Sequence, residues 1–119
     1  MTPFTPNHLI TQLKQGPVAF QDVITCIDHY YDFTPTAFSN GAQHNNKEQN
    51  NGSCKIFAFA KWHQLDPQST LHAFGDFYTH DVLDHPNGTD HQNIRQFIQH
   101  GWQGISFDGD ALVPKARSI

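Results

Sequence analysis

The chain has 119 residues, of which 37% are hydrophobic, and its ten phenylalanines suit a single domain with an aromatic-rich core. Its formal charge is −4, with only seven lysines and arginines. Nucleic acids and anionic membrane surfaces require a basic partner surface, so the composition predicts neither as a partner. No apolar run is long enough to span a membrane. Two cysteines are too few for a disulfide framework and suit a reducing cytoplasm.

Two amphipathic helices are predicted at the beginning of the chain. Thr5-Pro6 is typical of an N-cap followed by proline at the first helical position, and Gly16-Pro17 ends that helix. A second helix is predicted over residues 18–29, because its apolar residues recur with the period of one helical face.

The middle of the chain is predicted to be extended or irregular. Residues 31–38 are rich in aromatic residues and threonine, which favours a strand, and residues 39–53 form a long polar loop. Residues 54–62 are apolar on both faces of an extended chain, which favours a buried central strand. The same run contains alanine and lysine, so a helix remains the alternative.

Two further helices and a hairpin are predicted in the second half. A third helix covers residues 67–83, and a fourth begins at Thr89, where Gln92 completes a capping box. Residues 105–113 are predicted to form a hairpin. Together these elements predict an α+β fold with about four helices packed against a small, mainly antiparallel sheet. The predicted domain covers residues 1–113, followed by a loose tail over residues 114–119.

Cys54 is the first candidate for chemistry, because it follows the glycine-containing turn that ends the polar loop. A nucleophilic thiol needs a base and a group that orients the base, and His91 with Asn93 or Asp90 supplies these residue types. Lys55 would lower the pKa of the thiol. The alternative is that Cys54 is a small buried hydrophobic residue.

The second candidate is the histidine- and aspartate-rich stretch THDVLDHPNGTDH. His80 and Asp84 are four residues apart, and His85 and His91 could add donors to a divalent metal. The spacing matches no established metal signature, and a solvated polar turn explains the same residues. We therefore assign neither a metal site nor a cofactor to the chain.

The third candidate is the start of the fourth helix, where backbone N–H groups suit an anion. His91 and Arg95 lie one turn apart and could hold a carboxylate or phosphate, whereas Asp90 favours ordinary capping and pairing with Arg95. We expect this helix start, Cys54 and the polar loop to line one cleft. The remaining residues predicted to bind its ligand are Asn51, Ser53, Lys55 and Asn93.

Five motifs follow one another along the chain: YDFTPTAFSNG, NNGSCKIFAFAK, HAFGDFY, GTDHQNIRQF and GWQGISFDGDAL. In these motifs the chain resembles the HopJ type III effector family, and the resemblance covers roughly residues 9–112. It implies a protein of the bacterial cytoplasm that a type III secretion system exports. No biochemical activity is established for the family, so the resemblance assigns no catalytic residue.

The combined prediction is a HopJ-type effector that binds a protein partner or a small polar or anionic ligand. The alternative prediction is a thiol-dependent hydrolase or transferase that uses Cys54 and His91.

Overall fold

The computed structural model describes residues 4–115 and begins with the two helices that the sequence predicts. Helix α1 spans Pro6–Gln15, and its N-cap Thr5 accepts a hydrogen bond from the backbone N–H of His8. Helix α2 spans Phe20–Tyr30 and packs against α1. Both helices bury one apolar face, as their sequence period indicates.

Helix α3 spans Asn51–Trp62, so the strand predicted over residues 54–62 is wrong and the helical alternative is correct. The side chain of Phe57 is fully buried near the centre of the core. Aromatic rings from four other segments surround it: Phe38, Phe74, Phe97 and Trp102. A helix enclosed in this way needs no polar face, which explains why its sequence also fits a buried strand.

The predicted third helix, residues 67–83, is divided into two pieces. Helix α4 spans Pro67–His72, and a π-helix spans Phe77–Val82. Between them Gly75 has φ +56, a left-handed conformation that interrupts the helical path. Helix α4 begins at the predicted residue, and the side chain of its N-cap Asp66 accepts a hydrogen bond from the backbone N–H of Ser69.

Helix α5 spans Gln92–His100 and continues into a 3₁₀ turn, Gly101–Gly104. The predicted beginning at Thr89 is wrong, because His91 adopts φ 50 immediately before the first helical residue. The Gln92 side chain donates to the Thr89 carbonyl oxygen at 2.8 Å instead of completing a capping box.

Five short strands form two antiparallel sheets within the described residues. They are β1 (Tyr31–Phe33), β2 (Phe38–Asn40), β3 (Gln43–Asn45), β4 (Ile105–Phe107) and β5 (Leu112–Pro114). One sheet has the strand order β3-β2-β4, and the other pairs β1 with β5. The α+β class is confirmed, although the described residues form five α-helices and a π-helix instead of about four helices.

Strand pairing differs from the sequence prediction in two places. The predicted polar loop, residues 39–53, contains the β2–β3 hairpin, which turns at Gly41 with φ +58. The hairpin predicted over residues 105–113 is wrong, because β4 pairs with β2 and β5 pairs with β1. The β2–β3 hairpin was not predicted because most of its residues are polar. The pairings of β4 and β5 were not predicted because their partners are distant in sequence.

The end of the described chain is attached to the sheet that pairs β1 with β5. Pro114 belongs to β5, and the backbone N–H of Lys115 donates to the Tyr30 carbonyl oxygen at 3.0 Å. The rest of the predicted tail, residues 116–119, lies outside the described residues. Among the helices of residues 4–115, none has the length and hydropathy needed to cross a membrane.

Gly75→Ala is expected to destabilise the fold by about 2 kcal/mol or more, because a Cβ atom is strained at positive φ. That atom would also lie 2.8 Å from the Val18 carbonyl oxygen and 2.9 Å from the Phe20 nitrogen. Gly16→Ala is the matched control, since Gly16 has extended φ 170 and no described atom lies within 4 Å of the position that its Cβ atom would take. Urea unfolding of both variants tests this, and equal stabilities would contradict it.

Candidate ligand-binding site

Four asparagine side chains connect the β2–β3 hairpin to the beginnings of α3 and α5. Asn45 Nδ2 donates to Asn93 Oδ1 at 3.1 Å, and Asn93 Nδ2 donates to Asn45 Oδ1 at 2.9 Å. Asn40 Nδ2 donates to the Asn93 carbonyl oxygen, and Asn50 Nδ2 donates to Asn45 Oδ1, both at 2.7 Å. Buried amides are tolerated when their hydrogen bonds are satisfied, so this asparagine network holds the two helix starts against the hairpin.

The residue before each of these two helices adopts the same unusual backbone conformation. Asn50 has φ 55 and ψ 48, and His91 has φ 50 and ψ 46. Asparagine and histidine enter this left-handed region more readily than most residues. No described side chain caps either helix, so the N–H groups of both first turns lack a side-chain acceptor.

Both helix starts open onto one cavity of about 450 Å³. This volume falls in the range of small-molecule sites, about 300–1,000 Å³. The cavity has a polar wall and an aromatic wall, with the His91 ring between them. The polar lining comprises Gln43, Asn50, Ser53, Gln92 and Asn93, and the aromatic lining comprises Phe20, Phe74 and Phe77.

The π-helix holds the His91 ring from two sides. Asp81 Oδ2 lies 3.1 Å from His91 Nε2, and the Phe77 ring lies 5.3 Å from the imidazole ring at an angle of 35°. A carboxylate can only accept a hydrogen bond, so His91 Nε2 carries a proton and donates it. The hydrogen bond fixes the ring orientation and leaves Nδ1 as the other polar atom of the ring.

No lysine or arginine belongs to the described lining of the cavity. Its favourable potential for a negative group would come from backbone N–H groups and from the positive ends of the α3 and α5 dipoles. An anion bound there would be held by hydrogen bonds, without a lysine or arginine of the described lining beside it.

Comparison with known proteins identifies the family to which this chain belongs. A sequence model described as HopJ type III effector protein matches residues 6–112. The chain belongs to the HopJ family. It is 45% identical to a protein of unknown function, VPA0580, whose crystal structure superposes with a TM-score of 0.92 over 96% of this chain and 97% of that chain. The comparison with curated proteins gives no match.

Three predicted ligand-binding residues of this HopJ-family chain line the cavity: Ser53, His91 and Asn93. Asn51 is the first residue of α3, between the lining residues Asn50 and Gly52, although its own side chain does not line the cavity. The aromatic wall could not be recognised from the sequence, because periodicity assigned its phenylalanines to the core or left them unassigned. Asn50 could not be recognised either, because its role depends on its backbone conformation.

Arg95 and Lys55 do not line the cavity, because carboxylates elsewhere hold them. Arg95 Nη2 donates to Asp90 Oδ1 at 2.7 Å, and its Nη1 donates to the His85 carbonyl oxygen at 2.8 Å. The hydrogen bond from Arg95 lowers the pKa of the Asp90 carboxyl group. Lys55 Nζ lies 2.8 Å from Asp28 Oδ1. Both cations therefore stabilise neighbouring segments instead of facing the cavity.

Cys54 is buried in α3 with 1% of its surface exposed, and it does not line the cavity. Its thiol donates to the Thr36 carbonyl oxygen at 3.5 Å, and burial raises its pKa. A raised pKa reduces the thiolate population that nucleophilic attack requires. The structure thus gives Cys54 the surroundings of a core residue and does not place it beside His91 in the cavity.

Most of the histidine- and aspartate-rich stretch lies on the surface, whereas Val82 is buried and Asp81 and His91 are half-buried. His80 Nδ1 lies 3.5 Å from Asp84 Oδ2, and both side chains are mostly exposed. Residues 4–115 contain no group of three or more histidine, cysteine, aspartate or glutamate residues with the geometry of a metal site.

The Cys54 thiol is expected to react at least about tenfold more slowly with iodoacetamide in the folded chain than in the unfolded chain at about pH 7.5, because burial limits both access and ionisation. The measurement uses Cys26→Ala, which leaves Cys54 as the one thiol. Cys54→Ala, which reports Cys26, is the control, since burial raises the pKa of Cys26 to about 11. Faster labelling of Cys54 in the folded than in the unfolded chain would contradict the expectation and return the thiol to consideration as a nucleophile.

Proposed function

We propose that this HopJ-family chain is a binding protein whose cavity takes a small ligand with an anionic group. The observation that carries the proposal is that two helix starts without described side-chain caps face the same cavity. One helix start is an ordinary feature of any fold, whereas two converging starts with polar side chains around them offer several aligned donors.

The asparagine network supports the same proposal. It uses buried amide groups to hold Asn50 and Asn93 in place at the cavity wall. A site built on rigid elements keeps its donors aligned before the ligand arrives, which lowers the cost of binding.

The thiol-dependent enzyme is not proposed, because the surroundings of Cys54 do not favour it. The thiol is buried and hydrogen bonded to a carbonyl oxygen, and burial raises its pKa. Catalysis would need an ionised thiol with access to a substrate.

Ser53→Asp is expected to weaken anion binding at least tenfold. Ser53 lines the cavity in the first turn of α3, where a carboxylate favours the helix dipole and repels a second negative charge. The helix itself should be retained or slightly stabilised. The measurement is titration of the ¹⁵N-labelled chain with inorganic phosphate and, separately, with acetate, following backbone amide shifts by NMR.

Ser106→Asp is the matched control, because it adds the same charge on β4 at an exposed position outside the cavity lining. Support requires saturable shifts at the amides of residues 52, 53 and 93 that survive in Ser106→Asp and are lost in Ser53→Asp. Absence of saturable shifts at these amides with both anions, or equal binding by both variants, would reject the anion site.

We infer further that the chain is exported by a type III secretion system, which the description of its family supports. The test is a C-terminal reporter fusion expressed in a strain with an intact secretion apparatus and in a matched strain lacking the export ATPase. Reporter in the medium of the first strain alone is expected, and equal amounts in both media would contradict export by this route.

A further inference from the structure

The aromatic wall of the cavity is not explained by packing alone. Phe77 has 40% of its surface exposed, although an exposed phenylalanine gains little from folding. Its ring makes a T-shaped contact with Phe20 at 5.2 Å and a tilted contact with the His91 ring at 5.3 Å. The three rings form a continuous aromatic surface beside the polar wall, and we call them the ring triad.

Two backbone features maintain the ring triad. The π-helix carries both Phe77 and Asp81, so one segment supplies the ring that contacts His91 and the carboxylate that orients it. At the other end, a Cβ atom on residue 52 would lie 2.7 Å from the Phe20 ring. Glycine at position 52 therefore allows the Phe20 ring to approach the first turn of α3, next to Ser53.

The ring triad and the two helix starts line the same cavity, and a volume of about 450 Å³ accommodates one aromatic ring with a substituent. A flat ring can stack on exposed aromatic faces, while an oxyanion attached to it can accept hydrogen bonds from backbone N–H groups. An aliphatic anion could accept hydrogen bonds from the polar wall, but it would leave the ring triad exposed to water.

We infer that the ligand is an aromatic oxyanion, in which a carboxylate or phosphate is attached to a planar ring. The inference rests on the proposed function, since the anionic group would use the helix starts, and it adds the ring as the specificity determinant. Phe20, Phe77 and His91 contact the ring, and Ser53 and Asn93 lie beside the oxyanion.

The experiment compares matched probes that differ in the ring alone: phenyl phosphate against methyl phosphate, and benzoate against acetate. Dissociation constants are measured by NMR titration of the full chain. Burial of one aromatic ring is expected to make each aryl probe bind about ten- to a hundredfold more tightly than its methyl counterpart.

Phe77→Leu keeps apolar bulk at a partly exposed position and removes the aromatic face, so it is expected to reduce the aryl preference at least fivefold. Leu83→Ala is the control, because Leu83 is exposed just beyond the same π-helix and outside the cavity lining. An aryl preference that Phe77→Leu lowers and Leu83→Ala leaves intact supports the inference.

The other outcomes separate the two proposals. Equal affinities for aryl and methyl probes would overturn the aromatic specificity and leave the anion site standing. Binding of none of the four probes at the cavity amides would overturn both proposals. An aryl preference that Phe77→Leu does not change would overturn the assignment of the ring triad.

Discussion

The reciprocal hydrogen bonds between Asn45 and Asn93 are the interaction on which the candidate site depends. Each amide donates to the oxygen of the other, at 3.1 and 2.9 Å, with both side chains more than nine-tenths buried. Asn45 lies on β3 and Asn93 in the first turn of α5, so the pair joins the hairpin to one helix start. The hydrogen bond from Asn50 to Asn45 adds the start of α3 to the same network. The cavity exists where these three elements meet.

The core shields most of the asparagine network from water: the side chains of Asn40, Asn45 and Asn93 are buried, whereas Asn50 is exposed where it lines the cavity. Phe57 of α3 is fully buried and contacts aromatic rings from the hairpin side, from α5 and from the segment after α4. In this low-dielectric environment a satisfied amide pair is rigid, whereas an unsatisfied amide would be costly. Among the buried side-chain nitrogen and oxygen atoms of the described residues, only Asn40 Oδ1 lacks a hydrogen-bond partner. Nearly all hydrogen-bonding groups of the asparagine network are therefore satisfied.

Local signals and long-range contacts account for what the sequence predicted and what it could not. Thr5-Pro6 and Asp66-Pro67 are capping signals that act within one turn, and both predicted helix starts are confirmed. Helix α3 is harder to predict from sequence, because its neighbours bury nearly every side of it. Its apolar residues therefore lack the period that would distinguish a helix from a strand. The β2–β3 hairpin looks like a polar loop, because apart from Phe38 its buried side chains are the asparagines Asn40 and Asn45. Of the candidate site, Ser53, His91 and Asn93 could be proposed from helix-start patterns, and so could the pairing of Arg95 with Asp90 as the alternative to an anion contact. The contacts of Phe77 with Phe20 and His91 join segments that are distant in sequence, so the helical period could not reveal them.

A double-mutant cycle of Asn45→Ala and Asn93→Ala, measured by urea unfolding, tests the central claim most directly. If the two amides stabilise the fold through each other, removing the second should cost much less than removing the first. We expect a coupling free energy of about 1–3 kcal/mol, since each single variant leaves the partner amide buried without its hydrogen bond. Additive effects within about 0.5 kcal/mol would show two independent polar residues and would contradict the account of how the cavity is built.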